Sequence, residues 1–178
     1  VWLEPIPLRA NERPPAMADR TDMTQDEATI FLSDIYAGPG LANVPRGSVK
    51  KLRIFTYHFA YQKQAGITHR IGADGPWEVK RVLGTVPVEA DGSASFLIPA
   101  NTPISIQPLD AEGKALQLMR SWMTAMPGEM LSCVGCHEQR AMSPLSSATL
   151  SIAARRPPSE IEPWYGPTRG FSFRTEVQ

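Results

Sequence analysis

Proline and glycine interrupt this chain at short intervals. There are 17 prolines and 13 glycines among 178 residues, and few windows between them could hold a helix of three or more turns. The short runs that remain are rich in β-branched and aromatic residues. Short strands separated by turns every 8 to 12 residues or so, about the spacing found here, are typical of a β-sandwich or a partly open barrel. The sequence therefore predicts a mainly β, β-sandwich-like domain.

The clearest predicted strand covers residues 50–62. Alternation along it places Phe55 and Tyr57 on one face and Leu52 and Ile54 on the other. A second strand is predicted earlier in the chain, over residues 28–36, and ends at the sequence AGPG.

Two hairpins are predicted further along the chain. Asp91-Gly92 stands between β-prone runs at 79–88 and 93–98, and Asp-Gly in that position is a strong hairpin signal. The runs ISIQPL and KALQLMRSW flank the sequence DAEG and form the second candidate pair. The predicted organisation is one β-rich domain over residues 27–150, after an N-terminal extension or linker over 1–26. An extended C-terminal strap or linker is predicted over 151–178.

Charge excludes several classes of partner. Eighteen basic and 18 acidic residues cancel, so no net field attracts nucleic acid or an anionic membrane surface.

No run of about 18 apolar residues predicts a membrane span. The first residues lack the pattern of a signal peptide and the chain opens without Met, so we expect a piece of a longer protein in which an export signal lies upstream.

Both cysteines of the chain and one of its three histidines lie in the sequence CVGCH. Cys-x-x-Cys-His is the attachment signature of a c-type haem. Cys133 and Cys136 would each form a thioether to a vinyl group of the porphyrin, and His137 would supply the proximal nitrogen to the haem iron. The motif is expected on a short helical or loop segment. Covalent haem c is therefore the predicted cofactor.

Three other interpretations of the motif stay open. A structural zinc site would use both cysteines and His137, with His58 or His69 completing it because there is no second cysteine pair. A thioredoxin-like dithiol requires a βαβ setting that the proline-broken pattern does not favour. A plain disulfide or a chance pair would leave His137 unexplained.

The surroundings of a haem must exclude water, and apolar residues precede the motif. Trp122, Met126 and Met130 are predicted to contribute to the haem pocket. The sixth ligand of the iron decides the class of function, since a sixth protein ligand suits electron transfer and an open position admits small molecules. His58 and His69 are candidates for this distal ligand, as is a methionine.

Two longer segments occur together and in this order along the chain: VPVEADGSASFLIPANTPISIQPLD and MRSW…PGE…SCVGCHE. Over about residues 29–138 the chain resembles the middle domain of the hydrazine synthase α-subunit family. The resemblance implies a largely β domain that holds one c-type haem between a propeller and a cytochrome c domain. A redox protein or that adjacent cytochrome domain is the implied partner.

In the catalytic haem of that family, a tyrosine shortly after the motif binds the iron and the motif histidine binds zinc. The residues that follow His137 here, EQRAM, contain no tyrosine. The departure favours His137 as an ordinary axial ligand and does not support tyrosinate ligation or hydrazine synthesis.

The predicted function is a haem-c-binding module that acts in electron transfer or binds a small nitrogen compound. One alternative is a five-coordinate haem enzyme site acting on hydroxylamine or NO, at which CO would also bind. A second is a zinc-clipped structural β-domain. Bacterial haem attachment takes place outside the cytoplasm, so a periplasmic or otherwise exported location is expected.

Overall fold

The computed structural model describes residues 15, 19–58, 79–137 and 150–164. Seven strands lie in these ranges, and the only helices there are two single 3₁₀ turns, Pro39–Leu41 and Ala153–Arg155. The strands are β1 (Glu27–Leu32), β2 (Lys51–His58), β3 (Val79–Pro87), β4 (Ala94–Pro99), β5 (Ile104–Leu109), β6 (Met130–Cys133) and β7 (Glu162–Pro163). The prediction of a mainly β chain is confirmed.

The strands form two sheets. The first has the order β4-β1-β6, in which β1 is antiparallel to β4 and parallel to β6. The second has the order β5-β2-β3-β7 and is antiparallel throughout. Neither of the helices in the described ranges is long and apolar enough to cross a membrane.

Side chains from both sheets meet in one hydrophobic core. Ile30 of β1 and Phe96 of β4 are fully buried in it, as are Leu52 and Ile54 of β2. On the opposite face of β2, Phe55 and the residues two positions away on either side are only half-buried. The period of two in the sequence predicts this difference between the faces. The site described below lies at the margin of this core.

The predicted hairpin at Asp91-Gly92 is wrong in its strand pairing. The reversal itself forms, since the Gly92 N–H donates to the Glu89 carbonyl oxygen at 2.9 Å and the Glu89 N–H donates to Ser93 at 2.8 Å. Beyond it, however, β3 pairs with β2 and β4 pairs with β1 in the other sheet. Asp-Gly specifies a local change of direction, whereas strand partners are selected by burial of side chains far apart in sequence.

The second predicted pair forms as a series of bridges. After β5 the chain turns at Asp110 and runs back along the same strand, with isolated bridges from Leu109 to Ala115 and from Ile104 to Met123. Between them the Met119 N–H donates to the Ile106 carbonyl oxygen at 3.2 Å. Residues 115–123 therefore extend the second sheet past β5 without a continuous ladder.

The described part of the predicted C-terminal strap, residues 151–164, contacts both sheets. Ser159 exchanges hydrogen bonds with β4, accepting from Leu97 at 2.9 Å and donating to Ser95 at 2.8 Å. A few residues later β7 pairs with β3. Ala153 of the same segment is buried, and its N–H donates to the Ser93 hydroxyl at 3.0 Å. These residues close one side of the two-sheet assembly.

Candidate cofactor site at the Cys-x-x-Cys-His motif

The motif begins at the end of a strand. Cys133 is the last residue of β6 and lies opposite Leu32 of β1 in the parallel register. Hydrogen bonds continue past the strand, because the Ser33 N–H donates to the Cys133 carbonyl oxygen at 3.0 Å and the Asp34 N–H donates to Val134 at 3.1 Å. Residues 135–137 then form a turn. The motif is thus aligned by the strand and loop of its neighbour β1.

Two glycines allow the loop after β1 to lie against this turn. A Cβ atom on Gly40 would lie 2.5 Å from Cδ2 of His137 and 2.9 Å from Cβ of Cys136. A Cβ on Gly135 would collide with the carbonyl oxygen of Ala37 and stand 2.6 Å from that of Asp34. Real Cβ atoms do not approach so closely, so side chains at these positions would separate the loop from the motif.

His137 adopts a left-handed backbone conformation, with φ of 58°. For a residue other than glycine this conformation costs on the order of 1 kcal/mol, although histidine is among the residues enriched there. Residues in such conformations cluster at functional sites. The conformation puts the histidine at the exposed mouth of a cavity that it lines.

That cavity lies between the two sheets and has a volume of about 380 Å³. One wall comes from the first sheet and the motif, and includes Ile30 and Leu32. The other wall comes from β5 and from residues 115–123, which run back along β5, and it includes Ile106 and Met123. The remaining lining residues are Ile35, Pro108, Gln117, Leu118, Met119, Arg120, Ser121, Cys133, Gly135, Cys136 and His137. Both thiols and the imidazole of the motif therefore reach one largely apolar cavity.

Both cysteines are thiols that form no disulfide with each other. Burial, with a smaller contribution from the neighbouring Cys133, raises the pKa of the Cys136 thiol to about 11. The Cys136 thiol is consequently protonated at neutral pH. Reactive dithiols depend on a lowered thiol pKa, so this environment does not favour the thioredoxin-like interpretation.

The predicted pocket residues Trp122, Met126 and Met130 lie elsewhere on the described structure. All three are exposed, by 57%, 44% and 68% respectively, and none lines the cavity. The ring of Trp122 meets Tyr57 edge to face, with 6.3 Å between centroids. Residues 119–130 form bridges, a turn and the start of β6. Their contribution to cofactor binding stays a prediction.

Neither of the two candidate distal or zinc ligands has a described side chain, so the structure does not place either of them at the cavity. The backbone of His58 ends β2 opposite Val79, and its side chain lies outside the described atoms. His69 lies outside the described residues altogether. Across the described ranges no group of three or more His, Cys, Asp or Glu side chains is placed to hold a metal ion.

Sequence reasoning missed the partners that hold the motif. The loop AGPG, residues 37–40, was interpretable only as the end of a strand, although its second glycine contacts His137. Gln117 also escaped notice, and its Nε2 donates to the Gly40 carbonyl oxygen at 3.0 Å. The two glycines in four residues were the available signal, since close backbone approach is a usual reason for such a pair.

The comparison with known proteins agrees with this architecture. Residues 47–138, more than half of the chain, match the model of the hydrazine synthase alpha subunit middle domain. The structure of Kuenenia stuttgartiensis hydrazine synthase shares the fold, with a TM-score of 0.56 and 21% identity over 74% of this chain. This chain spans only 20% of that one. No curated protein sequence matches the chain. By the match over residues 47–138, the chain belongs to the hydrazine synthase alpha subunit middle domain family.

Proposed function

We propose that this domain carries a covalent haem c and uses it in electron transfer or in binding a small nitrogen compound. A single observation supports the proposal most. Cys133, Cys136 and His137 of an attachment signature all line one cavity between the two sheets.

The residues present fit a haem. The cavity of about 380 Å³ is in the range of small-molecule and cofactor sites. Its inner lining is aliphatic, with Ile30, Leu32 and Ile35 on one side and Ile106 and Pro108 on the other. Polar and charged groups are confined to the segment 117–121 and the motif itself. An apolar interior with a polar edge matches a macrocycle whose propionates face water.

Within this site each cysteine has a defined task. If haem is bound, the S–H of Cys133 and that of Cys136 would each add across a vinyl C=C, so that sulfur would bond one carbon and the hydrogen would pass to the other. His137 holds an imidazole at the cavity mouth for the iron. When bound, the haem would supply an iron centre that gains and releases one electron.

The name of the solved relative suggests a class of ligand for the proposed haem. The solved relative is named a hydrazine synthase, so a small nitrogen compound such as hydroxylamine or NO is the proposed ligand class. A redox protein or a neighbouring cytochrome c domain is the proposed partner. Covalent attachment in bacteria requires export, which places the proposed site of action in the periplasm or another exported compartment.

Mass spectrometry of the denatured 178-residue chain tests the proposal. After expression with a cytochrome c maturation system, we expect the added mass of one haem and loss of that mass in the double variant Cys133→Ala, Cys136→Ala. Ser132→Ala, which changes an exposed residue of the same strand, is the matched control and should retain haem. A wild-type chain without added mass would overturn the proposal.

An absorption spectrum separates the two modes of action. Electron transfer predicts a six-coordinate ferrous form that does not respond to CO. A ferrous form that binds CO and NO at once would favour the five-coordinate enzyme site. Metal analysis that finds zinc and no iron would favour the structural alternative.

A further inference from the structure

Resting on the proposed haem site, we propose that the thioether sulfur of Met119 is the second axial ligand of the haem iron. The inference adds a residue that the attachment motif does not identify. It also decides between the two modes of action above, since a sixth protein ligand closes the iron to small molecules.

The walls of the cavity supply the first argument. Cys133 ends β6, Cys136 and His137 follow it, and all three belong to the wall made by the first sheet. Met119 belongs to the segment that runs back along β5 in the second sheet, where its N–H donates to Ile106. The motif imidazole and the Met119 side chain therefore enter the same cavity from different sheets. A cofactor between these walls has side chains of both sheets as neighbours.

The other polar lining residues outside the motif are Gln117, Arg120 and Ser121, and none of these residue types is a usual ligand of haem iron. The side-chain amide of Gln117 donates to Gly40 at 3.0 Å and accepts from the Leu118 N–H at 2.9 Å. Arg120 is a cation, which does not bind iron. Among the described lining residues outside the motif, sulfur is offered by two side chains, Met119 and Met123.

Both methionines are half-buried, but they differ in how they pack. Met123 packs against the hydrophobic core, and its backbone exchanges two hydrogen bonds of 2.9 Å with Ile104. Met119 is half-buried and lines the cavity, yet it is not among the residues packed on the core. Both methionines line the cavity, and Met119 is the one of the two that does so without packing on the core. Met126 and Met130 are exposed and do not line the cavity.

The position of Met119 is fixed on both sides. Its own backbone hydrogen bond of 3.2 Å ties it to β5, and two residues earlier Gln117 is bonded to the loop that holds the motif. Methionine is a neutral, polarizable ligand that favours the reduced state of haem iron and raises its potential.

The test uses the haem-loaded 178-residue chain and the variants Met119→Leu and Met123→Leu. In the wild type and Met123→Leu we expect the near-infrared charge-transfer band of methionine-ligated ferric haem. Met119→Leu should keep its covalent haem by mass, lose that band, bind CO when reduced, and show a lower midpoint potential. Haem of normal mass with the band unchanged in Met119→Leu would overturn the ligation alone. Wild type without covalent haem would overturn the proposed function and this inference together.

Discussion

The backbone N–H of Gly40 donates a hydrogen bond of 3.3 Å to the carbonyl oxygen of Cys136. The contact brings a loop that follows β1 against a motif almost a hundred residues later in the chain. It is feasible only because position 40 has no Cβ, which would lie 2.9 Å from Cβ of Cys136. The geometry of the motif is therefore set partly by a residue outside it.

Substitution Gly40→Ala should disturb the motif directly. The added methyl group would stand 2.5 Å from Cδ2 of His137, and overpacking of this kind costs about 1–3 kcal/mol. We expect a lower free energy of unfolding in urea and a lower yield of covalent haem. Gly113→Ala is the control, because Gly113 has a φ of 79° but nothing within 4 Å. It should lose about 1–2 kcal/mol through backbone strain and attach haem normally.

Filling the cavity should exclude the cofactor without unfolding the domain. Ile106 is half-buried and lines the cavity from β5, so Ile106→Trp would place an indole in the space proposed for the haem. We expect at least a severalfold loss of covalent haem by mass with a retained β circular dichroism spectrum. Ile152→Trp makes the same change at an exposed residue that does not line the cavity. Equal haem yields in the two variants would contradict the proposed location.

The Cys136 thiol predicts a pH dependence of stability in the haem-free chain. Burial raises its pKa from 9.0 to about 11 in the folded protein, so above pH 9 the unfolded state releases the thiol proton first. The contribution of this group to stability is complete below pH 9 and is lost as pH rises toward 11. Urea unfolding between pH 8 and 11 measures it. Cys136→Ala should show a shallower decline, and an identical slope in both proteins would contradict the prediction.

Asp91 connects the β3–β4 turn to the C-terminal segment. Its carboxylate accepts hydrogen bonds from the Ser93 N–H at 3.0 Å, the Ser93 hydroxyl at 2.6 Å and the Ile152 N–H at 2.8 Å. Burial of this carboxyl would raise its pKa, but the hydrogen bonds together hold the pKa below 3.8. Its stabilising contribution is therefore present above about pH 4 and declines as pH falls below that value.

We expect Asp91→Ala to lose about 1–3 kcal/mol of unfolding free energy at pH 7 and less at pH 3. Hydrogen exchange of residues 150–164 should accelerate in this variant. Asp110→Ala is the control, because the Asp110 carboxylate accepts from the N–H groups of Glu112 and Lys114 within its own turn. Faster exchange at residues 150–164 in both variants would show that the Asp91 contact with Ile152 has no specific effect.

The sequence by itself determined the class of structure and indicated the family. Prolines and glycines at short intervals left room only for strands, and the period of two along β2 correctly separated Leu52 and Ile54 from Phe55. These are local properties, because each depends on residues that are neighbours in the chain. The order of residues in CVGCH and its flanking segments likewise indicated the family.

Only the tertiary structure decided which strands pair and what surrounds the motif. Asp91-Gly92 forms the expected turn, but its two strands go to different sheets. Cavity residues such as Ile30 and Ile106 come from strands far apart in sequence, whereas Trp122, close to the motif in sequence, is exposed outside it. Sequence spacing fixes side-chain direction within one strand, while contacts between strands depend on the burial of the whole chain.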